Sequence, residues 1–272
     1  MLENKIKTGF ANGQPVINGW LSIPDAFAAE VVSMQGYDAV TVDMQHGVVG
    51  YSEMRNMVQA MQHCNVAPMV RVPWLDPGII MKCLDAGAYG IICPMVNTAA
   101  QAAELVSAMR YPPQGSRSFG PTRPLVTYGS DYYQHANAQV TVFAMIETAE
   151  AVANVDEIAA TPGLDGLYIG PADLTLGVTN GRLPPGLDRE EDEMLEVIHR
   201  IRDTAHKHGI KACLHTGSPD YAAKAVGWGF DLVTLPNDVR ILASTAAAQV
   251  ARTRELLDGS AAAADSSADS GY

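Results

Sequence analysis

A chain of 272 residues, 47% of them apolar and 18% charged, has enough hydrophobic material for a large core and too ordinary a balance for disorder. Its 30 acids against 18 bases leave a net charge of −12, which excludes a nucleic-acid surface built on clustered Lys and Arg, though not a small anionic ligand held by a few local cations. No apolar run approaches the ~18 residues of a membrane span, and MLENKIKTGF lacks the apolar centre of a secretory signal, so a cytoplasmic protein is expected.

Short β-like runs alternate with longer helical ones along the chain. The strands predicted are Val16–Leu21, Ala39–Asp43, Ala67–Arg71, Gly90–Cys93, Val140–Ile146, Gly166–Ile169, Lys211–Leu214 and Asp231–Leu235. Between them, Ala26–Met34, Glu53–Met61, Gly78–Leu84 and Ala99–Met109 carry apolar residues at helical spacing, and Glu191–His208 reads as the longest helix. Eight strand–helix units imply parallel pairing through right-handed crossovers, and in about 250 residues they fit a closed (β/α)₈ TIM barrel. The expected class is therefore α/β, one domain over residues 1–258. No G-x-G-x-x-G follows the first strand, and no P-loop or H-E-x-x-H occurs. Cys64, Cys83, Cys93 and Cys213 lie in apolar surroundings without metal-knuckle spacing and read as reduced core residues.

Three stretches break the alternation. Tyr111–Asn137 is a long Pro/Gly/Arg/Tyr-rich connection leaving the bottom of the barrel, a place better suited to packing on a neighbouring subunit than to catalysis. Val178–Gly186 follows the sixth strand on the active-site face, where it could act as a flap. Residues 259–272 form a low-complexity tail expected to be disordered.

Chemistry in such a barrel gathers at the C-terminal ends of the strands. Those ends present Trp20, Asp43 running into His46, Arg71, Glu147, the turn Gly170-Pro171-Ala172-Asp173, and His215. None of the six lysines ends a strand, which argues against an imine mechanism and leaves a metal ion as the electron sink. Glu147 and Asp173, from adjacent strands, suit an octahedral Mg²⁺, Mn²⁺ or Co²⁺ with room for waters and a chelating substrate. Equally well, Glu147 serves as an N-cap partner in Glu147-Thr148-Ala149-Glu150 and Asp173 as a helix-start acid. The amides of Ala172 and Asp173 open a helix and could receive a carboxylate. A lone histidine is more often structural than catalytic, although the place of His46 beyond a strand end favours chemistry. Arg71 has the fork to hold an enolate oxygen, or it is a rim salt bridge. Trp20 is an apolar wall of the site or core, and His215 reads more readily as structural.

VDMQHG, PMVRVPW, LDAGAYGIICPMV, RYPPQGSRSFGP, MIET and YIGPADLT, in this order over roughly residues 16–250, resemble the class II pyruvate aldolases of the HpcH/HpaI aldolase and citrate lyase superfamily. The resemblance implies Glu147 and Asp173 as metal ligands and Arg71 as the arginine on the keto oxygen. It implies His46 in proton transfer, paired with Asp85, and a hexamer with exchanged C-terminal helices. Asp85 precedes the fourth strand, away from the rim, so that pairing would have to serve a different barrel of the oligomer. Gln45 stands where the family often has an acid, which leaves the donor preference open between pyruvate and hydroxypyruvate. The function expected is reversible formation of 4-hydroxy-2-oxo acids from an aldehyde and a metal-stabilised enolate. A CoA-thioester lyase of the citrate or malyl type, or a non-catalytic barrel binding a 2-oxo acid, are the rival readings.

Overall fold

The structure, a computed structural model, describes residues 3–268, with side chains described through Asp258. In chain order the elements are α1 (Lys5–Ala11), β1 (Val16–Leu21), α2 (Ala26–Ser33), β2 (Ala39–Asp43), α3 (Tyr51–Ala60), β3 (Ala67–Arg71) and α4 (Pro77–Asp85). They continue with β4 (Gly90–Cys93), α5 (Ala99–Met109), α6 (Thr122–Tyr128), α7 (Tyr132–Gln139), β5 (Thr141–Ile146), α8 (Ala149–Ala153), α9 (Val155–Ala159) and β6 (Gly166–Ile169). The chain ends with α10 (Pro171–Thr179), α11 (Asp192–Lys207), β7 (Lys211–His215), α12 (Pro219–Trp228), β8 (Leu232–Thr234) and α13 (Asp238–Ala268).

All eight strands pair in parallel, and β1 also pairs with β8, closing the barrel expected from the alternation. Strand side chains alternate between two cores. Outward-facing Val40, Val42, Val70, Ile91 and Ile146 join the helices in one cluster. Inward-facing Trp20, Met69, Ile92, Phe143, Met145 and Tyr168 fill the barrel in another, with Ile6 of α1 plugging its lower end. Buried Asn18 would be costly there without partners, and its amide bridges the hydroxyls of Thr41 and Thr234 across the interior. The cysteines are all unpaired thiols, as expected, with Cys64 half-buried and the other three buried.

Two expectations change. The Tyr111–Asn137 connection contains α6 and most of α7 rather than a continuous loop. The longest helix is α13, of 31 residues, not α11 of 16. The helix extends to Ala268, and residues 269–272 of the tail lie outside the described residues. Every α13 residue from Val239 to Asp258 is exposed, so the helix leaves the barrel wall instead of lying on it. On α2, Phe27 and Val31 are correspondingly exposed, at 72% and 45%, with Met34 at the C-cap of the helix exposed at 71%. Among the described residues, no helix is long and apolar enough to cross a membrane.

Candidate active site

A cavity of about 420 Å³, a size suited to small ligands, opens where the strands end, and Trp20, Asp43, His46, Arg71, Glu147 and Asp173 contribute to its wall. At its centre is an ion pair between the last residues of β2 and β3, which the barrel register sets side by side. Arg71 donates from Nε to Asp43 Oδ1 at 2.8 Å and from Nη2 to Oδ2 at 2.6 Å. Trp20 Nε1 donates to the same Oδ2 at 3.2 Å, and its ring lies 4.8 Å from the guanidinium. Burial alone would push the Asp43 carboxyl up. The paired hydrogen bonds and charge of Arg71, with the amides of Gln45 and His46, instead hold it below the usual carboxylate range. Arg71 is thus fixed in its fork, and Nη1 is left without a hydrogen-bond partner among the described residues.

Glu147 follows β5 and is 2% exposed. Its Oε1 accepts from the amide of Met95 at 2.7 Å, an amide aimed by a left-handed turn with φ of 56° at that residue. Oε2 lies against Gly170; a Cβ there would sit 2.6 Å from it, so only glycine leaves the carboxylate its place. Burial, reinforced by the negative charge of Asp173, raises Glu147 to about 7, with the Met95 amide and Arg71 opposing. Asp173 reaches the cavity from the first turn of α10, which has Gly170 at its N-cap and Pro171 at its first position. Gly170 brings no capping side chain, and the amides of Ala172 and Asp173 have no partners among the described residues, as first-turn amides without a cap do.

Two neighbouring carboxylates, one strained by burial, suit a divalent cation: its charge would relieve the repulsion that raises Glu147. Among the described residues no group of three or more His, Cys, Asp or Glu could enclose a metal, so water and substrate would complete the shell. No lysine is among the residues that line the cavity; Lys211 pairs with Asp231 at the lower end of the barrel.

His46 lines the cavity and is exposed, its amide donating to Asp43 Oδ1 at 3.3 Å. Asp85 does not join it within one chain. As the last residue of α4, which runs antiparallel to the strands, it lies at the opposite end of the barrel. There it accepts at 2.6 Å from Arg117, whose buried guanidinium sits over the rings of Tyr111 and Tyr132.

His215, read from sequence as structural, lines the cavity. Its Nδ1 lies 3.2 Å from the Tyr168 hydroxyl, and its ring packs edge-on to Trp20 at 4.7 Å. Burial, then the charge of Arg71, drives its pKa down to about 3, so it is a neutral imidazole. Asp43 was placed on the rim by the sequence but given no role there, and Met95 was not foreseen. Asp43 had the same strand-end signal as Arg71, whereas the aimed amide of Met95 has no sequence signal.

The model of the HpcH/HpaI aldolase/citrate lyase family matches residues 18–244. The chain belongs to this family. It is 43% identical to the hydroxypyruvate/pyruvate aldolase of Rhizorhabdus wittichii over 93% of this chain and 100% of that protein. It is 30% identical to the 5-keto-4-deoxy-D-glucarate aldolase of Shigella dysenteriae over 90% of this chain and 94% of that one. The crystal structure of an HpcH/HpaI aldolase/citrate lyase family protein from Burkholderia cenocepacia superposes with a TM-score of 0.85 at 30% identity, covering 92% of this chain and 99% of the other. The protein is accordingly an enzyme, an aldolase of the carbon–carbon lyase class.

Proposed function

We propose that the protein is a class II aldolase that adds pyruvate or hydroxypyruvate, as the enolate, to an aldehyde, and cleaves the resulting 4-hydroxy-2-oxo acid. The observation that carries this reading is the placing of Glu147 and Asp173 on the cavity wall that also holds Arg71 and carries no lysine. Both relatives named above are aldolases, one of them named for these two donors.

Glu147 and Asp173 would hold a divalent cation, Mg²⁺, Mn²⁺ or Co²⁺, which when bound acts as a Lewis acid on the keto group of the donor. The donor carboxylate is received by the amides of Ala172 and Asp173 at the start of α10, above the opening left by Gly170. Arg71 Nη1 donates to the keto oxygen and holds it as negative charge develops, with Asp43 and Trp20 keeping the guanidinium in place. His46 takes the proton from the carbon next to the keto group, through water. That carbon then bonds to the aldehyde carbon, and the new alkoxide takes up a proton. Trp20 closes the apolar side of the site.

The assembly follows the same reading. In a second copy α13 would find the apolar face that α2 leaves open, and exchange of this helix would build a homo-oligomer, a hexamer by family resemblance. Asp85, at the lower end with the Tyr111–Asn137 connection, would then act on the His46 of a neighbouring barrel.

The test is Glu147→Gln. Its metal-dependent aldol cleavage is expected to fall at least a hundred-fold, with pyruvate methyl-proton exchange lost in parallel. Undiminished turnover in this variant, still sensitive to chelator, would remove Glu147 from the cation site.

A further inference from the structure

Beside the main cavity lies a second hollow, of about 320 Å³, that donor chemistry leaves unused. The two share Ala172, Leu187, His215 and Asn237 as a common wall. The remaining polar side chain of the hollow is Arg240, in the first turn of α13, and no acidic residue lines it.

The backbone that carries Arg240 is fastened to the barrel rim although the rest of α13 departs. Buried Asp238 accepts from the amides of Ser22 and Ile23 at 2.9 and 3.1 Å, tying the start of the helix to the end of β1. Asn237 Oδ1 accepts from the Arg240 amide at 2.9 Å, and Asn237 Nδ2 donates to Ser22 Oγ at 3.3 Å. The Arg240 guanidinium itself has no hydrogen bond or ion pair among the described residues. Its charge nevertheless adds to burial and to Arg71 in keeping His215 neutral, so it acts toward the cavity and not only toward bulk water.

We infer that this hollow receives the distal end of the aldehyde, and that Arg240 selects aldehydes ending in an anion, a carboxylate or a phosphate. The inference rests on the donor reading above. With the reacting carbon in the main cavity, a longer acceptor extends past the shared wall into the hollow. A guanidinium with its whole fork unspent then meets the terminal anion through paired charge-assisted hydrogen bonds. His215 has Nδ1 engaged by Tyr168, which leaves Nε2 for a hydroxyl between the two ends.

The experiment measures addition of pyruvate to two matched pairs of aldehydes, D-glyceraldehyde 3-phosphate against D-glyceraldehyde and 4-oxobutanoate against butanal. In the native enzyme at least one anionic member is expected to exceed its neutral partner in kcat/KM by about ten-fold or more, mainly through the KM of the aldehyde. The responding pair distinguishes a phosphate from a carboxylate terminus. Arg240→Ala is expected to bring that ratio close to one, and Arg240→Lys to retain part of it. Equal kcat/KM within both pairs, or a ratio untouched by Arg240→Ala, overturns the inference. Failure of the donor reading shows separately, as absence of methyl-proton exchange in pyruvate when no aldehyde is present.

Discussion

The Asp43–Arg71 pair shows what single residues contribute here. Asp43 lines the cavity, but in the proposed mechanism it is no reacting group; it occupies two of the three guanidinium nitrogens and so decides where the third points. Asp43→Asn keeps the shape but removes the charge that balances a buried cation. We expect kcat to fall about ten- to a hundred-fold with little change in cation affinity, and stability to fall by about 3 kcal/mol. Steady-state kinetics and denaturant unfolding check both; an unaltered kcat would mean that Arg71 needs no such orientation.

His215 gives the residue-scale pH dependence. With a folded pKa of about 3 against an ordinary 6.5, the native state binds fewer protons than the unfolded one between these values. Its contribution is complete above pH 6.5 and is lost as pH falls toward 3. Glu147, raised from 4.5 to about 7, acts in the opposite sense, its contribution complete below pH 4.5 and lost as pH rises through 7. The two overlap, so a variant comparison is needed to separate them. His215→Gln is expected to flatten the acid side of the stability curve by up to about 1.4 kcal/mol per pH unit between pH 6 and 4. Parallel curves for variant and native protein would contradict a neutral, half-buried imidazole.

Among the elements, α13 is the exception. The other large helices bury an apolar face on the barrel; α13 carries Val239, Leu242, Val250 and Leu257 at spacings of three, eight and seven, all exposed. That spacing places them along one side of a helix, a stripe that is costly to leave in water and that a second copy would cover. Leu242→Glu with Val250→Glu is therefore expected to reduce the mass of the assembly in sedimentation while far-UV circular dichroism stays that of a folded barrel. Assembly that survives both charges would put the subunit contact elsewhere. The beginning of α13 plays a different part, since Asp238 and Asn237 pin it to the rim and keep Arg240 beside the cavity.

At the scale of the whole molecule, barrel closure makes one site out of residues from separate strands. The register that aligns Asp43 with Arg71, and Ile146 with Ile169, brings the ends of β2, β3, β5 and β6 to one rim. The arrangement sets like charge side by side at Glu147 and Asp173, which a cation held there, as proposed, would relieve. At a hundred times its Kd, Mg²⁺ or Mn²⁺ is expected to stabilise chelator-treated protein by about 2.7 kcal/mol, seen as a raised Tm. Glu147→Gln should lose most of that shift, and a shift of equal size in the variant would place the cation elsewhere. Because the ion needs the ionised carboxylate, its affinity should also rise as pH climbs through 7.

The amino-acid sequence determined the barrel and most of the rim. A strand buried on both faces is a short apolar run, and a polar residue that ends such a run, as Arg71 and Glu147 do, announces itself locally. Five of the eight strands therefore end and begin where the sequence places them; β5 and β7 differ by one residue at one end, and β8 is shorter by one residue at each end. Tertiary structure alone decided what depends on distance in space: that Asp43 orients Arg71, that Gly170 makes room for a carboxylate, and that Met95 aims an amide; that Asp85 lies away from the rim was already legible from its place before β4. It also decided that α13 leaves its own wall while its first turn stays beside the cavity. No local pattern encodes these, because each depends on which side chains meet after closure.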